Sequence, residues 1–288
     1  MNPPDSKTPV DDGVPRRVPG SSVTYSLTQL TNIRAFTGPD WHPEDHPTMP
    51  QVVAEGRRPN VFACAYCHRA DGSGGPESAN LNGLPAAYLL QQIADLKSGA
   101  RGTSVGKRGP TSLMIANAKA MSENDAAAAA EYFSKLPRKR TVRVVETSQV
   151  RRTTVDNWIL VPTGDSFEPI GTRVVEFPED LQRFELRDSR MSFIAYVPPG
   201  SVARGESLVR TGAGKTVQCV LCHGTDLRGA GVIPPLAGRS PTYLARQLHD
   251  FQTGARAGAN GQLMKQPVEQ LTGADIVDIV AYLGSLDP

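Results

Sequence analysis

Cys64-Ala65-Tyr66-Cys67-His68 and Cys219-Val220-Leu221-Cys222-His223 contain all four cysteines of the 288-residue chain. An even cysteine count in an exported protein suggests two disulfides, but the spacing points elsewhere. Two thiols three positions apart on one turn of chain point the same way, and an imidazole follows directly. C-x-x-C-H is the pattern that attaches a c-type haem: the thiols form thioethers and the histidine reaches the iron. Cys64, Cys67, Cys219 and Cys222 are therefore the candidate attachment residues. His68 and His223 are the candidate proximal ligands. For a single motif, zinc or a redox dithiol is the competing reading.

The surroundings of the two motifs repeat, which weakens that competitor. With His68 placed over His223, an offset of 155, Leu81 falls on Leu236, Tyr88 on Tyr243 and Gln92 on Gln247. Gly99-Ala100-Arg101 falls on Gly254-Ala255-Arg256. Extra residues near Ser104–Arg108 then reduce the offset to 150, and Met114 falls on Met264, Asp125 on Asp275 and Tyr132 on Tyr282. Self-similarity of this kind marks two copies of one domain.

Each copy has the same coarse reading. A short helix (Val52–Gly56, Val202–Leu208) precedes the motif, and a glycine-rich loop follows it. An amphipathic helix comes next (Ala86–Leu96, Thr242–Phe251). A loop then carries Met114 or Met264. A closing helix starts at Ser122 with Asp125, or at Thr272 with Asp275, in the manner of a capping box. A thioether is a soft ligand that favours ferrous iron, so Met114 and Met264 are the candidate sixth ligands. Met121 matches Leu271 and reads as core.

Residues 138–200 read differently. Val142–Glu146, Trp158–Val161, Arg173–Phe177 and Phe193–Val197 are β-branched or alternating runs punctuated by prolines, which suits short strands. The expected organisation is a loosely ordered segment over 1–22 and a first haem domain with an N-terminal extension over 23–137. An extended, β-rich insert over 138–200 and a second haem domain over 201–288 complete it. The fold class is mainly α. The insert's basic group (Arg138, Lys139, Arg140, Arg143, Arg151, Arg152) and acidic group (Glu176, Glu179, Asp180, Glu185) read as solvated faces, with a docking surface as the sharper alternative.

Net charge is +2, which gives no reason to expect nucleic acid or an anionic membrane surface as partner. No apolar run is long enough for a membrane span. The N-terminus shows no apolar signal core. Haem attachment of this type takes place outside the cytoplasmic membrane, so a periplasmic protein with its signal removed is expected. His42 and His46 flank prolines that oppose one continuous helix. They read as part of a rigid loop over the first domain, against the alternative that one of them replaces Met114 on the first iron. His249 has no repeat partner and reads as surface.

Each copy resembles a class I cytochrome c domain: helix, C-x-x-C-H, loop, helix, methionine segment and a terminal helix with an aromatic. The pair resembles the soluble di-haem cytochromes of the c-four type over residues 48–136 and 201–288, but not over 1–47 or most of 138–200. This resemblance implies two covalently attached haem c groups and single-electron exchange with redox partners: a dehydrogenase, an oxidase or a membrane complex. It also implies that Pro235 directs its own carbonyl at the ligand histidine's other nitrogen. Asn80 stands at that place in the first copy, so a looser loop and a different potential are expected there. Tyr88, Tyr243, Arg101 and Arg256 are expected either to bond haem propionates or simply to pack. Tyr132 and Tyr282 are expected against Gly56 and Gly205. Two aligned methionines count against a di-haem peroxidase and the lack of a spare cysteine against a thiosulfate-oxidising di-haem enzyme, which leaves a di-haem enzyme with one displaceable axial ligand (peroxidase-like, or the cytochrome subunit of a dehydrogenase) as the alternative to a carrier.

Overall fold

In the computed structural model, which describes residues 10–106, 108–156 and 158–288, helices and a small β layer alternate along the chain. A short helix, α1 (Leu27–Thr31), carries a Ser26–Gln29 capping box. The first helical domain contains α2 (Gln51–Ala54), α3 (Cys64–His68), α4 (Ala86–Ser98), α5 (Gly109–Ala120) and α6 (Glu123–Lys135). The insert supplies β1 (Val142–Glu146), β2 (Gln149–Asp156), β3 (Ile159–Pro169), β4 (Val175–Pro178), α7 (Leu181–Glu185) and β5 (Phe193–Val197). The second helical domain contains α8 (Ser201–Thr211), α9 (Val220–His223), α10 (Pro241–Gln252), a 3-10 turn Gln262–Met264, α11 (Lys265–Glu269) and α12 (Gly273–Ser285). No helix among the described residues is long and apolar enough to cross a membrane.

The closing helices start where their caps are. Ser122 accepts from the Asp125 amide at α6, and Thr272 forms a full capping box with Asp275 at α12. Each cap satisfies amides that a helix start leaves free. α6 buries one stripe, Ala126, Ala129, Ala130, Tyr132 and Phe133. α12 is buried from Asp275 to Gly284 because α8, α10 and the insert strands β1 and β5 pack around it. α8 crosses α12 at Gly205, where a Cβ would lie 1.9 Å from the Asp278 carbonyl oxygen and 2.9 Å from Tyr282 Cβ. The first copy departs from this expectation. α2 is one turn long, and Gly56 is a turn residue at φ 75°, packed on Val61 and Ala63 rather than on Tyr132. Tyr132 instead donates to the Ala70 carbonyl at 2.7 Å.

The methionines also differ from expectation, since neither sits in an irregular loop. Met114 lies inside α5, which Pro110 opens. Met264 ends the 3-10 turn and starts α11.

In the insert, β5 lies between β1, to which it runs parallel, and β4, to which it runs antiparallel. β2 and β3 form a separate antiparallel hairpin. Val142, Ile159, Phe184, Met191 and Phe193 form one small core, and Val150, Ile170, Val175, Phe177 and Ile194 another. Glu176 corrects the solvated-face reading of the acidic group. It is 1% exposed, and one of its oxygens accepts from Ser240 Oγ and from the Thr242 amide, both at 2.9 Å, at the start of α10.

The N-terminal segment requires a second correction. Residues 1–9 lie outside the described residues and 10–15 are exposed, but the chain is fixed from Arg16 onward. Arg16 pairs with Tyr25 through both backbone amides, and Val18 is buried with Leu30 and Trp41. Trp41 Nε1 donates to the Leu186 carbonyl at 2.6 Å, and His42 Nε2 meets Asp188 at 3.0 Å in full burial. His46 contacts Asp40 through Nε2 and Tyr132 through Nδ1. Both histidine rings are thus engaged in joining the extension to the insert and to α6. The extension and the insert together form one layer against the first domain.

Candidate haem sites

α3 and α9 present the two motifs on single helical turns, so the thiols of each pair share a side. None of the four cysteines pairs in a disulfide. Burial pushes the Cys64 thiol up to about 12 and the Cys219 thiol up to about 11, which disfavours the thiolates that a dithiolate metal site needs. Among the described residues, no group of three or more His, Cys, Asp or Glu side chains gathers as a metal cage.

The histidines are prepared alike. His68 Nδ1 lies 2.7 Å from the Ala79 carbonyl oxygen, and His223 Nδ1 lies 2.8 Å from that of Pro234. A carbonyl can only accept, so each Nδ1 donates. The neutral ring then keeps its Nε2 lone pair for a metal. Burial holds both imidazoles below the ordinary histidine value, which favours that neutral form. Pro235 is therefore corrected: it is not the acceptor. Its ring restricts the residue before it to extended backbone, and that residue, Pro234, turns its carbonyl to His223. Pro235 gives its own carbonyl to Arg239 Nε at 2.6 Å. Asn80 does not loosen the first loop, because Ala79 makes the same bond at nearly the same length.

Tyr88, Tyr243, Arg101 and Arg256 converge where the two domains meet. Arg101 donates to Tyr243 Oη at 3.1 Å and Gln247 Oε1 at 3.0 Å, while Arg256 donates to Tyr88 Oη at 2.7 Å and Gln92 Oε1 at 2.6 Å. The residues paired by the repeat thus exchange partners across a pseudo-twofold seam, and Arg101 and Arg256 also form an antiparallel backbone bridge. Sequence reading singled out the four residues but not their crossing, because a repeat aligns equivalents without showing how copies face each other. Arg239 and Arg246, which it missed, also reach across, to the carbonyls of Asn80 and Pro76.

The partners of these four guanidiniums are neutral oxygens, and none of the four forms a salt bridge among the described residues. Burial lowers Arg239 and takes Arg246 down to about 10. Burial raises the Tyr243 phenol, but Arg101 and Arg256 outweigh it and hold the phenol below its ordinary value. Buried cations normally need anions. Haem carries two propionate carboxylates, so a seam of unpaired arginines beside two haem attachment turns fits that group.

The two attachment turns face different surroundings. Arg187 of the insert lies 3.7 Å from the Tyr66 ring centroid and donates to the Tyr66 carbonyl at 2.8 Å. Tyr66 is 5% exposed. Its repeat equivalent, Leu221, is 69% exposed.

The cytochrome c family model matches residues 53–137 and 202–287. Cytochrome c4 of Pseudomonas aeruginosa is 27% identical over 230 residues, which cover 77% of this chain and 83% of that protein. The thiosulfate dehydrogenase electron acceptor of Stutzerimonas stutzeri is 23% identical over 234 residues, covering 80% of this chain and 82% of its own length. Among solved structures, thiosulfate dehydrogenase TsdBA of Marichromatium purpuratum superposes with a TM-score of 0.53 at 26% identity, over 82% of this chain and 39% of that one. Since both copies match the family and the alignment to cytochrome c4 runs through both, the chain belongs to the cytochrome c family, as a di-haem electron carrier with two covalently attached haem c groups.

Proposed function

We propose that this protein relays single electrons between two redox proteins of the periplasm, with His68 and Met114 on the first iron and His223 and Met264 on the second. Haem supplies the redox change itself. This chain's residues hold it by thioethers at Cys64, Cys67, Cys219 and Cys222. His68 and His223 keep Nε2 toward the iron through their Nδ1 bonds. Arg101, Arg256, Tyr88 and Tyr243 serve the propionates at the seam, which draws the two cofactors toward each other and favours transfer between them. Filling both axial positions lets an iron change charge with little movement, as a carrier requires.

The observation that carries this reading is the pair of equivalent histidine cradles, 2.7 and 2.8 Å, each 11 residues from ligand to acceptor. The donor we favour is a dehydrogenase, since one similar protein is by name an electron acceptor of thiosulfate dehydrogenase. Serving as the cytochrome subunit of such a complex is the closely related form of this role. A redox titration of the oxidised protein, followed by absorption and electron paramagnetic resonance, tests the ligands. Two low-spin centres with sulfur-to-iron charge transfer support the reading; a high-spin or bis-histidine centre rejects it.

A further inference from the structure

We propose that Trp158, in the insert, is a positioning residue for the first iron: seated on Gly109, it holds the helix that presents Met114. This rests on Met114 being the sixth ligand.

Within its own domain α5 packs against α4, and Arg108, just before it, donates to the Glu77 carbonyl at 3.3 Å. Only Asn117 and Ala118 of the helix are buried. Near its C-terminal end, Asn117 Oδ1 accepts from the Phe62 amide at 2.7 Å, which ties that end to the approach to α3. Its N-terminal half, which carries Met114, has a different anchor. A Cβ built on Gly109 would lie 2.6, 2.7 and 2.8 Å from Cζ2, Cε2 and Nε1 of Trp158. The indole occupies the space a side chain would need, and glycine is what permits the contact.

The insert can bear on α5 because it is itself held firmly. Trp158 sits at φ 68° directly before Ile159, which is buried in the insert core with Phe184 and Phe193. Phe184 belongs to α7, and Arg187, just beyond α7, is locked to Tyr66 on the attachment turn. The insert therefore grips the first domain at two places, the methionine helix and the thioether turn. Met114 lies five residues past Gly109, about 8 Å along the helix axis.

The second domain does without this device. Gln252 Nε2 donates to the carbonyls of Val268 and Leu271 at 2.7 and 2.8 Å, and the buried Val268 pins α11 behind Met264. That iron is an internal control within each molecule.

The test uses the purified di-haem protein and its Trp158→Ala variant, with imidazole as the exogenous ligand. Replacement of methionine by imidazole at one haem per chain is expected to accelerate about tenfold, a barrier change of about 1.4 kcal/mol. The other haem keeps its rate, and Trp158→Phe largely restores the first. If Trp158→Ala does not yield holoprotein, Gly109→Ala, whose new methyl drives the indole off its seat, is expected to give the same one-haem acceleration. Unchanged exchange in whichever variant is obtained overturns the proposal, as does equal acceleration at both haems. Met114→Ala keeps the two readings apart. If the first haem's charge-transfer signal survives that change, the ligand assignment is wrong. If it is lost while exchange in the Trp158 variant matches wild type, only the clamp is wrong.

Discussion

The two haem domains carry the same five-residue motif and opposite exposure. At matching positions, Tyr66 is buried and Leu221 projects into solvent; Cys67 is partly covered and Cys222 is exposed. Leu113, before the first methionine, is partly buried, whereas Leu263, before the second, is 75% exposed. Neither motif dictates this. The first domain lies under the N-terminal extension and the insert, through Trp41, His42 and Arg187; the second presents its attachment turn bare. A repeat therefore fixes how each cofactor is bonded, while sequence outside the repeat sets which cofactor edge a partner can reach. Electron exchange with outside reagents is expected to favour the second haem.

The comparison breaks most sharply if one attachment site is removed. Cys219→Ala with Cys222→Ala is expected to lower covalent haem from two per chain to one, read by mass spectrometry. Retention of two attached haems would show that the motif does not bond the cofactor. Next in size is the seam. Arg101→Ala or Arg256→Ala strips charged hydrogen bonds from three neutral acceptors each, at a cost of about 2 kcal/mol in denaturant unfolding. Because the pair shares Gln92 and Gln247, the double variant is expected to lose less than the sum of the singles.

A smaller effect sharpens the exposure difference itself. Arg187→Ala removes the cover over Tyr66 and about 1 kcal/mol of cation–π attraction. Stopped-flow reduction by a small reagent is then expected to bring the first haem's rate toward the second's, and an unaltered ratio would mean that the insert does not limit access. The smallest effect concerns the insert's attachment to the second domain. Burial holds the Glu176 carboxyl above its ordinary value, against its bonds to Thr242 and Ser240. The folded state therefore binds this proton more tightly than the unfolded one. The linked stabilisation is present below the ordinary glutamate value and is lost as pH rises through the folded value. Glu176→Gln keeps an acceptor for the Thr242 amide and cannot ionise, so its stability relative to wild type is expected to improve from acid to neutral pH.

Legibility in the sequence followed the strength of local signals. β1 and β5 occupy the runs read as strands, because a β-branched stretch between prolines has few alternatives. α4, α6, α10 and α12 lie where periodicity and caps put them. β2 escaped notice because its residues, Gln149 to Asp156, are mostly polar and exposed and gain order only by pairing with β3. α7 is too short to show a period; only Asp180, which accepts from the Arg183 amide, marks its start. α5 was hidden by Gly109-Pro110, which resembles a loop and instead opens a helix whose glycine makes room for a side chain from another domain. In the second copy the acceptor carbonyl lies one residue before Pro235 because proline acts on its predecessor's backbone.

The sequence by itself determined the attachment pattern: thiol spacing and the adjacent imidazole are local facts of the chain that no packing could alter. It also determined that the domain is doubled. Only the tertiary structure decided that Arg101 and Arg256 cross to the opposite domain, that Glu176 caps a helix 65 residues away, and that one attachment turn is covered while the other is exposed. Those outcomes depend on how separately encoded surfaces meet, and such contacts bury groups far apart in the chain whose local patterns carry no trace of each other.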